Sequence, residues 1–166
     1  MKNIIFLATL IILFACNEIN TTTKFNKKTV ILEIDQMFED YYKDISIQGL
    51  RGEFKYLDDS SDFYWVPPGY ESAISYDSVI TILKANADNF RIVEYRWDTL
   101  QIFPLSNTIA NYTGIVNGYM VDTTGVTSKM LIIESGTLIK REDGWKLLNG
   151  QSALINRESD SLIIDD

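Results

Sequence analysis

The stretch Arg91-Ile92-Val93-Glu94-Tyr95-Arg96-Trp97-Asp98-Thr99-Leu100-Gln101-Ile102-Phe103 decides the class of fold. Before it, apolar residues recur at helical spacing; from Arg91 onward the period is two. Val93, Tyr95, Trp97, Thr99, Gln101 and Phe103 fall on one face, alternating with Ile92, Glu94, Arg96, Asp98, Leu100 and Ile102 on the other. That is the pattern of a long strand. Pro104-Leu105-Ser106-Asn107 turns the chain, and a second strand is predicted over 108–121. Asp122-Thr123-Thr124-Gly125 leads to a third over 126–141, and Glu142-Asp143-Gly144 is a hairpin signal before a last strand over 145–155. Gly114, Gly118 and Gly136 inside these strands predict a strongly curved sheet.

Upstream, Ile31, Ile34, Phe38, Tyr41 and Ile45 recur at the spacing of an amphipathic helix over about 29–44. Gly49 and Gly52 break the chain, and Phe54 and Leu57 suggest a short second helix. Phe63-Tyr64-Trp65-Val66 reads as a short aromatic strand stopped by Pro67-Pro68-Gly69. A third helix starts at Ser75, a suitable N-cap, with Val79, Ile80, Leu83, Ala87 and Phe90 as its apolar face. Helices followed by long antiparallel strands define an α+β class: three N-terminal helices packed on a strongly curved antiparallel sheet.

The beginning of the chain carries a different message. Met1-Lys2-Asn3 is a short positive start, and Ile4 to Phe14 is nearly unbroken apolar sequence. It is too short to span a bilayer comfortably and has the form of a signal-peptide core. Leu13-Phe14-Ala15-Cys16 resembles the lipobox of bacterial lipoproteins, which implies lipidation of Cys16 and cleavage before it. The expected organisation is a signal over 1–15, a lipidated cysteine and polar tether over 16–28, one domain over 29–155 and an acidic tail over 156–166. The expected location is the bacterial cell envelope, anchored to a membrane through lipid alone, on the periplasmic side or the surface.

Composition removes whole classes of function. Cys16 is the only cysteine, so no intramolecular disulfide forms. The net charge of −8 argues against nucleic acid, which demands a basic footprint. There is no histidine, which excludes Ser-His-Asp and Cys-His catalysis and histidine-ligated metals, and removes the commonest neutral-pH base. Neither a cofactor nor a metal is expected. Asp58-Asp59-Ser60-Ser61-Asp62 has oxygen donors but lacks the spacing and closing glutamate of a calcium loop, and reads as a solvated acidic loop.

Two segments carry a family resemblance. Leu105-Ser106-Asn107-Thr108-Ile109-Ala110 resembles a polar turn entering a strand with a small inward residue. Gly136 to Leu148, with Glu142-Asp143-Gly144-Trp145 at its centre, resembles the last hairpin of the same family. With the order of elements, these make residues 29–155 similar to the SnoaL-like domains of the nuclear transport factor two-like superfamily. The resemblance implies a conical fold whose helices close a curved sheet over a pocket. Many relatives have histidines in the last strand where this chain has Asn149 and Gln151. The amides can hydrogen-bond but cannot act as bases.

The ligand-binding candidates are Tyr64, Trp97, Tyr112, Thr137, Asn149 and Gln151; strict alternation places Leu147, Asn149 and Gln151 on the face of Trp145. No catalytic residue is assigned by a complete constellation. The leading expectation is a non-catalytic binding module for a small, mainly apolar ligand. The alternative is an isomerase, cyclase or hydrolase in which a mid-strand carboxylate, Glu134, is the base and a tyrosine the proton donor. A third reading is an interaction protein that forms a homodimer through its sheet. A buried carboxylate within hydrogen-bond reach of a tyrosine would favour the enzyme.

Overall fold

Asn26 caps helix α1 (Lys27–Gln48) by accepting hydrogen bonds from the Lys28 and Thr29 amides. Val30, Ile34, Met37, Phe38, Tyr41 and Ile45 form its buried stripe. The computed structural model describes residues 24–155. Cys16, the signal-like stretch, most of the tether and the tail from 156 lie outside the described residues. Among the described residues, no helix is long and apolar enough to cross a membrane.

Gly49, at φ 63°, ends α1 in a conformation that favours glycine. The chain then tightens into a 3-10 segment, Gly49–Tyr56, in place of the expected second α-helix. Gly52 makes this possible: a Cβ there would come within 2.5–2.6 Å of the Asp44 and Ile45 backbone. Strand β1 (Tyr64–Val66) and helix α2 (Tyr76–Asn86) follow, the latter capped by Ser75 as expected. The expectation of three N-terminal helices is therefore corrected to two α-helices, the 3-10 segment between them and a short 3-10 turn, Ala87–Asn89, after α2. Glycine at both positions lets the chain turn back on α1 too closely for a full helix to fit.

Four long strands complete the domain: β2 (Phe90–Pro104), β3 (Ile109–Asp122), β4 (Thr127–Arg141) and β5 (Gly144–Leu154). They form the expected meander, and the sheet order is β1-β5-β4-β3-β2. The sheet is mixed rather than wholly antiparallel, because β1 reaches it after a crossover and pairs parallel with β5.

Two irregularities decide which side chains face the helices. In β2 the register shifts between Trp97 and Thr99, leaving Asp98 without a partner on β3. In β5 Leu138 pairs with Leu147 while Thr137 pairs with Asn149, so Leu148 is the extra residue. Each bulge reverses the inside–outside alternation and adds bend. On β2 the inward set is Val93, Tyr95 and Trp97 before the bulge, then Leu100, Ile102 and Pro104 after it. On β5 Trp145 and Leu147 are buried, but beyond the bulge Gly150 and Ser152 take the inward side, and Asn149 and Gln151 turn outward.

The inner face alternates rings with glycines. A Cβ at Gly136 would meet the Tyr112 ring at 3.0 Å, and one at Gly150 would meet the Trp65 ring at 2.6 Å. The core gathers under α1, where Phe38, Ile34, Ile45 and Leu138 are fully buried. The last hairpin is tied to α1 through Glu33, which accepts bonds from Lys140 Nζ (2.6 Å) and Trp145 Nε1 (2.9 Å).

Candidate functional site

Between α1, the 3-10 segment, α2 and the inner sheet face lies a cavity of about 370 Å³. Its walls are mostly aliphatic and aromatic, with contributions from Leu57, Phe63, Trp65, Leu83, Met130 and Ile132. Tyr41 and Tyr42 enter from α1 and Tyr95 from β2. Two carboxyl groups break this apolar lining: Glu53 from the 3-10 segment and Glu134 from the middle of β4. The lining contains no lysine or arginine.

Sheet register puts Glu134 there. It pairs with Gly114 on one side and Ser152 on the other, in the inward-facing row. Gly114 and Ser152 are small, which leaves room above the sheet for its side chain. Tyr112, two residues from Gly114 along β3, donates its hydroxyl to Glu134 Oε1 at 2.6 Å. Glu53 has the same kind of partner, since Tyr41 donates to its Oε2 at 3.2 Å. Both glutamates are deeply enclosed yet keep some accessible surface, and each lines the cavity.

Enclosure in apolar surroundings disfavours the ionised form of both acids. Burial pushes Glu134 up to about 7, opposed by the Tyr112 bond. Burial pushes Glu53 up to about 8, opposed by the Tyr41 bond and reinforced by the charge of Glu134. The tyrosines respond in the same sense: burial, then the nearby carboxylates, raises Tyr41, Tyr42 and Tyr95. Tyr112, buried beside Glu134, is raised as well. One further polar group is enclosed here. The Trp97 indole N–H, packed against Phe38, Tyr42 and Tyr112, has no acceptor among the described residues.

These raised acids carry a stability consequence of definite sign. The folded chain holds two protons that the unfolded chain releases above its ordinary glutamate pKa of about 4.3. Stability is therefore fully present below that value and falls as pH rises through about 7 and about 8. No histidine is present to mask the effect. Thermal unfolding followed between these limits should show a falling midpoint that levels off once both groups have ionised. The Glu53→Gln/Glu134→Gln double variant should be flat over the same range; an equal slope in the variant would refute the assignment.

The six sequence candidates divide between two faces. Tyr112 and Trp97 are on the inner side, Tyr112 as the partner of Glu134 and Trp97 within the ring cluster against α1. Tyr64, Thr137, Asn149 and Gln151 line a shallow groove of about 420 Å³ on the outer face of the sheet. There Tyr64 pairs with Asn149, and Thr137 donates to Asn111 at 3.1 Å. The expectation that Asn149 and Gln151 share the face of Trp145 is corrected by the Leu148 bulge. Glu53 went unrecognised in the sequence, where two glycines erase any periodic signal around it. Asp58, read as part of a solvated loop, is instead buried and paired with Arg141. No group of three or more metal-binding side chains occurs among the described residues.

By sequence, no family model and no curated protein matches the chain. By structure, it is similar to a nuclear transport factor two-like superfamily protein from Salmonella enterica, with a TM-score of 0.67 and 14% identity over 82% of this chain and 99% of that one. It is similar to a ketosteroid isomerase-like protein from Erwinia carotovora atroseptica, with a TM-score of 0.60 and 17% identity over 80% of this chain and 99% of that one. It is also similar to a hexachlorocyclohexane dehydrochlorinase, with a TM-score of 0.59 and 12% identity over 78% of this chain and 90% of that one. At these identities the likeness concerns the fold: the domain has a nuclear transport factor two-like, pocket-containing architecture.

Proposed function

We propose that the inner cavity binds a compact, mainly apolar molecule and that Glu134 exchanges a proton with it. The observation that carries this reading is the 2.6 Å bond from Tyr112 to a carboxyl on the wall of an otherwise apolar cavity. A general base works best when its pKa lies near the working pH, and enclosure supplies that at Glu134. Tyr112 occupies one oxygen and fixes the carboxyl plane, which leaves the other oxygen for the substrate. The chemistry that fits is removal of a proton from the bound molecule by Glu134. The proton then returns at another atom, as in an isomerase, or a leaving group departs with the bonding electrons, as in a lyase. The names of the structural neighbours, an isomerase-like protein and a dehydrochlorinase among them, are compatible with that class of reaction.

Native mass spectrometry of the cell-purified chain, combined with deuterium incorporation, tests this reading. A retained small molecule that gains solvent deuterium with the wild type, and binds Glu134→Gln without gaining it, supports the proposal. An empty cavity that also excludes the neutral dye Nile red overturns it. Retention with equal exchange in both proteins leaves binding without the assigned base, and removes Glu134 from the mechanism.

We further propose that the domain works at a membrane surface, held by a lipid on Cys16, on the strength of the lipobox-like Leu13-Phe14-Ala15-Cys16. An intact mass that begins at an acylated Cys16 supports the anchor, and a retained Met1 excludes it.

A further inference from the structure

We propose that the ligand of the inner cavity carries a cationic amine, held between Glu53 and Glu134. This rests on the reading that the inner cavity is the binding site, and it names the chemistry the site selects.

The argument is one of unmatched hydrogen-bonding capacity. Glu53 uses only Oε2 and Glu134 only Oε1, each accepting from a tyrosine. The second oxygen of each has no donor among the described residues. Tyr41 and Tyr112 have spent their hydroxyl protons on these bonds. Ser152, also on the cavity wall, accepts from Trp65 Nε1. The hydroxyls of Tyr42 and Ser152 are the neutral donors left on the wall, and with no lysine or arginine in the lining the two carboxyl groups meet no cation. An ammonium group is the complement, with three donors and no acceptor. A ligand carboxylate would meet two acids and no counter-charge. A neutral alcohol could satisfy one free oxygen but would offset none of the charge.

The walls fit the same cation. Tyr41, Tyr42 and Tyr95 present rings to the cavity, and an ammonium is attracted to the faces of such rings. Tyr41 and Tyr42 lie 5.2 Å apart centroid to centroid, and Tyr42 and Tyr95 6.2 Å apart, so the three rings form a continuous aromatic wall. Because enclosure raises Glu134 to about 7 and Glu53 to about 8, the pair still holds protons near neutral pH that an arriving cation should displace to the solvent.

Isothermal titration calorimetry on the full chain with three matched probes, benzylamine, benzyl alcohol and benzoate, tests the proposal. At neutral pH benzylamine should bind roughly tenfold or more tightly than benzyl alcohol, with benzoate weaker than either. Its enthalpy should change with the ionisation enthalpy of the buffer, which reports proton release. Glu53→Gln and Glu134→Gln should each lower benzylamine affinity roughly tenfold and benzyl alcohol affinity much less, with an unchanged circular dichroism spectrum showing that the variants retain the fold. Equal binding of amine and alcohol overturns the amine assignment while the apolar site stands. No binding of any probe overturns both.

Discussion

Phe38→Ala should lower the free energy of unfolding by about 3–5 kcal/mol, measured by urea denaturation. Phe38 is only 1% exposed and faces inward from α1. Its ring lies 5.1 Å from both Trp97 and Tyr112, and those two are 6.0 Å apart, so three elements meet at one aromatic cluster. Truncation removes the ring contacts and leaves a void that neighbours on a helix and two strands cannot all move to fill. The cluster also backs the Tyr112 ring whose hydroxyl reaches Glu134. The variant should therefore loosen the site as well as the fold, and Phe38→Leu, which refills most of the volume, should lose much less. A loss below about 1 kcal/mol for the alanine variant would show that the cluster does not organise the core.

Arg141→Met is the second large effect, at about 2–4 kcal/mol. Asp58 is 2% exposed and is the only charged residue in the buried set among the described residues. Arg141 grips it with two bonds, Nε to Oδ2 at 2.6 Å and Nη2 to Oδ1 at 3.0 Å. The Asp58 amide donates to Leu147 O at 2.9 Å, so the pair fastens the loop before β1 to the last hairpin. Removing the guanidinium leaves an enclosed carboxylate without its counter-charge. The lower end of the range is favoured because the Arg141 side chain is 41% exposed and water already screens it. The pH dependence has the opposite sign to that of the cavity glutamates. The Arg141 bonds hold Asp58 down at about 2, below the ordinary aspartate value of about 3.9. Its stabilisation is present above that ordinary value and is lost as pH falls through about 2. Wild type should thus lose stability across that acidic window, while Arg141→Met should be weaker at neutral pH and lose less on acidification. A variant as stable as wild type at pH 7 would refute the role of the pair.

The strands were readable in the sequence because long alternating runs end in turns that only a few residue types can make. The boundaries expected for the four long strands agree with the structure to within a residue or so. Facing was harder. Val93, Tyr95 and Trp97 were placed together correctly, but alternation carried through Thr99, Gln101 and Phe103 fails at Asp98, because a bulge has no strong sequence mark when its extra residue is solvent-facing. The same happened at Leu148, an apolar residue between apolar and polar neighbours. Glu134 could be singled out because no bulge interrupts β4 between it and Ile132. Glu53 could not, because a 3-10 segment broken by Gly49 and Gly52 has no periodicity from which to assign a face. Nor could the sequence show that β1 runs parallel to β5, since three residues carry too little pattern to fix a direction.

The inserted residue at Leu148 acts as a phase shift within a single strand, and it sets the chemical character of the cavity. Were all its residues kept in strict alternation, with no bulge, the strand's distal half would reverse its sidedness and the two amides would take the inner side, displacing Gly150 from against Trp65. Excising Leu148 would instead leave Leu147 and Asn149 adjacent on the opposite faces they already occupy, so the lining would survive and only the local bend would be lost.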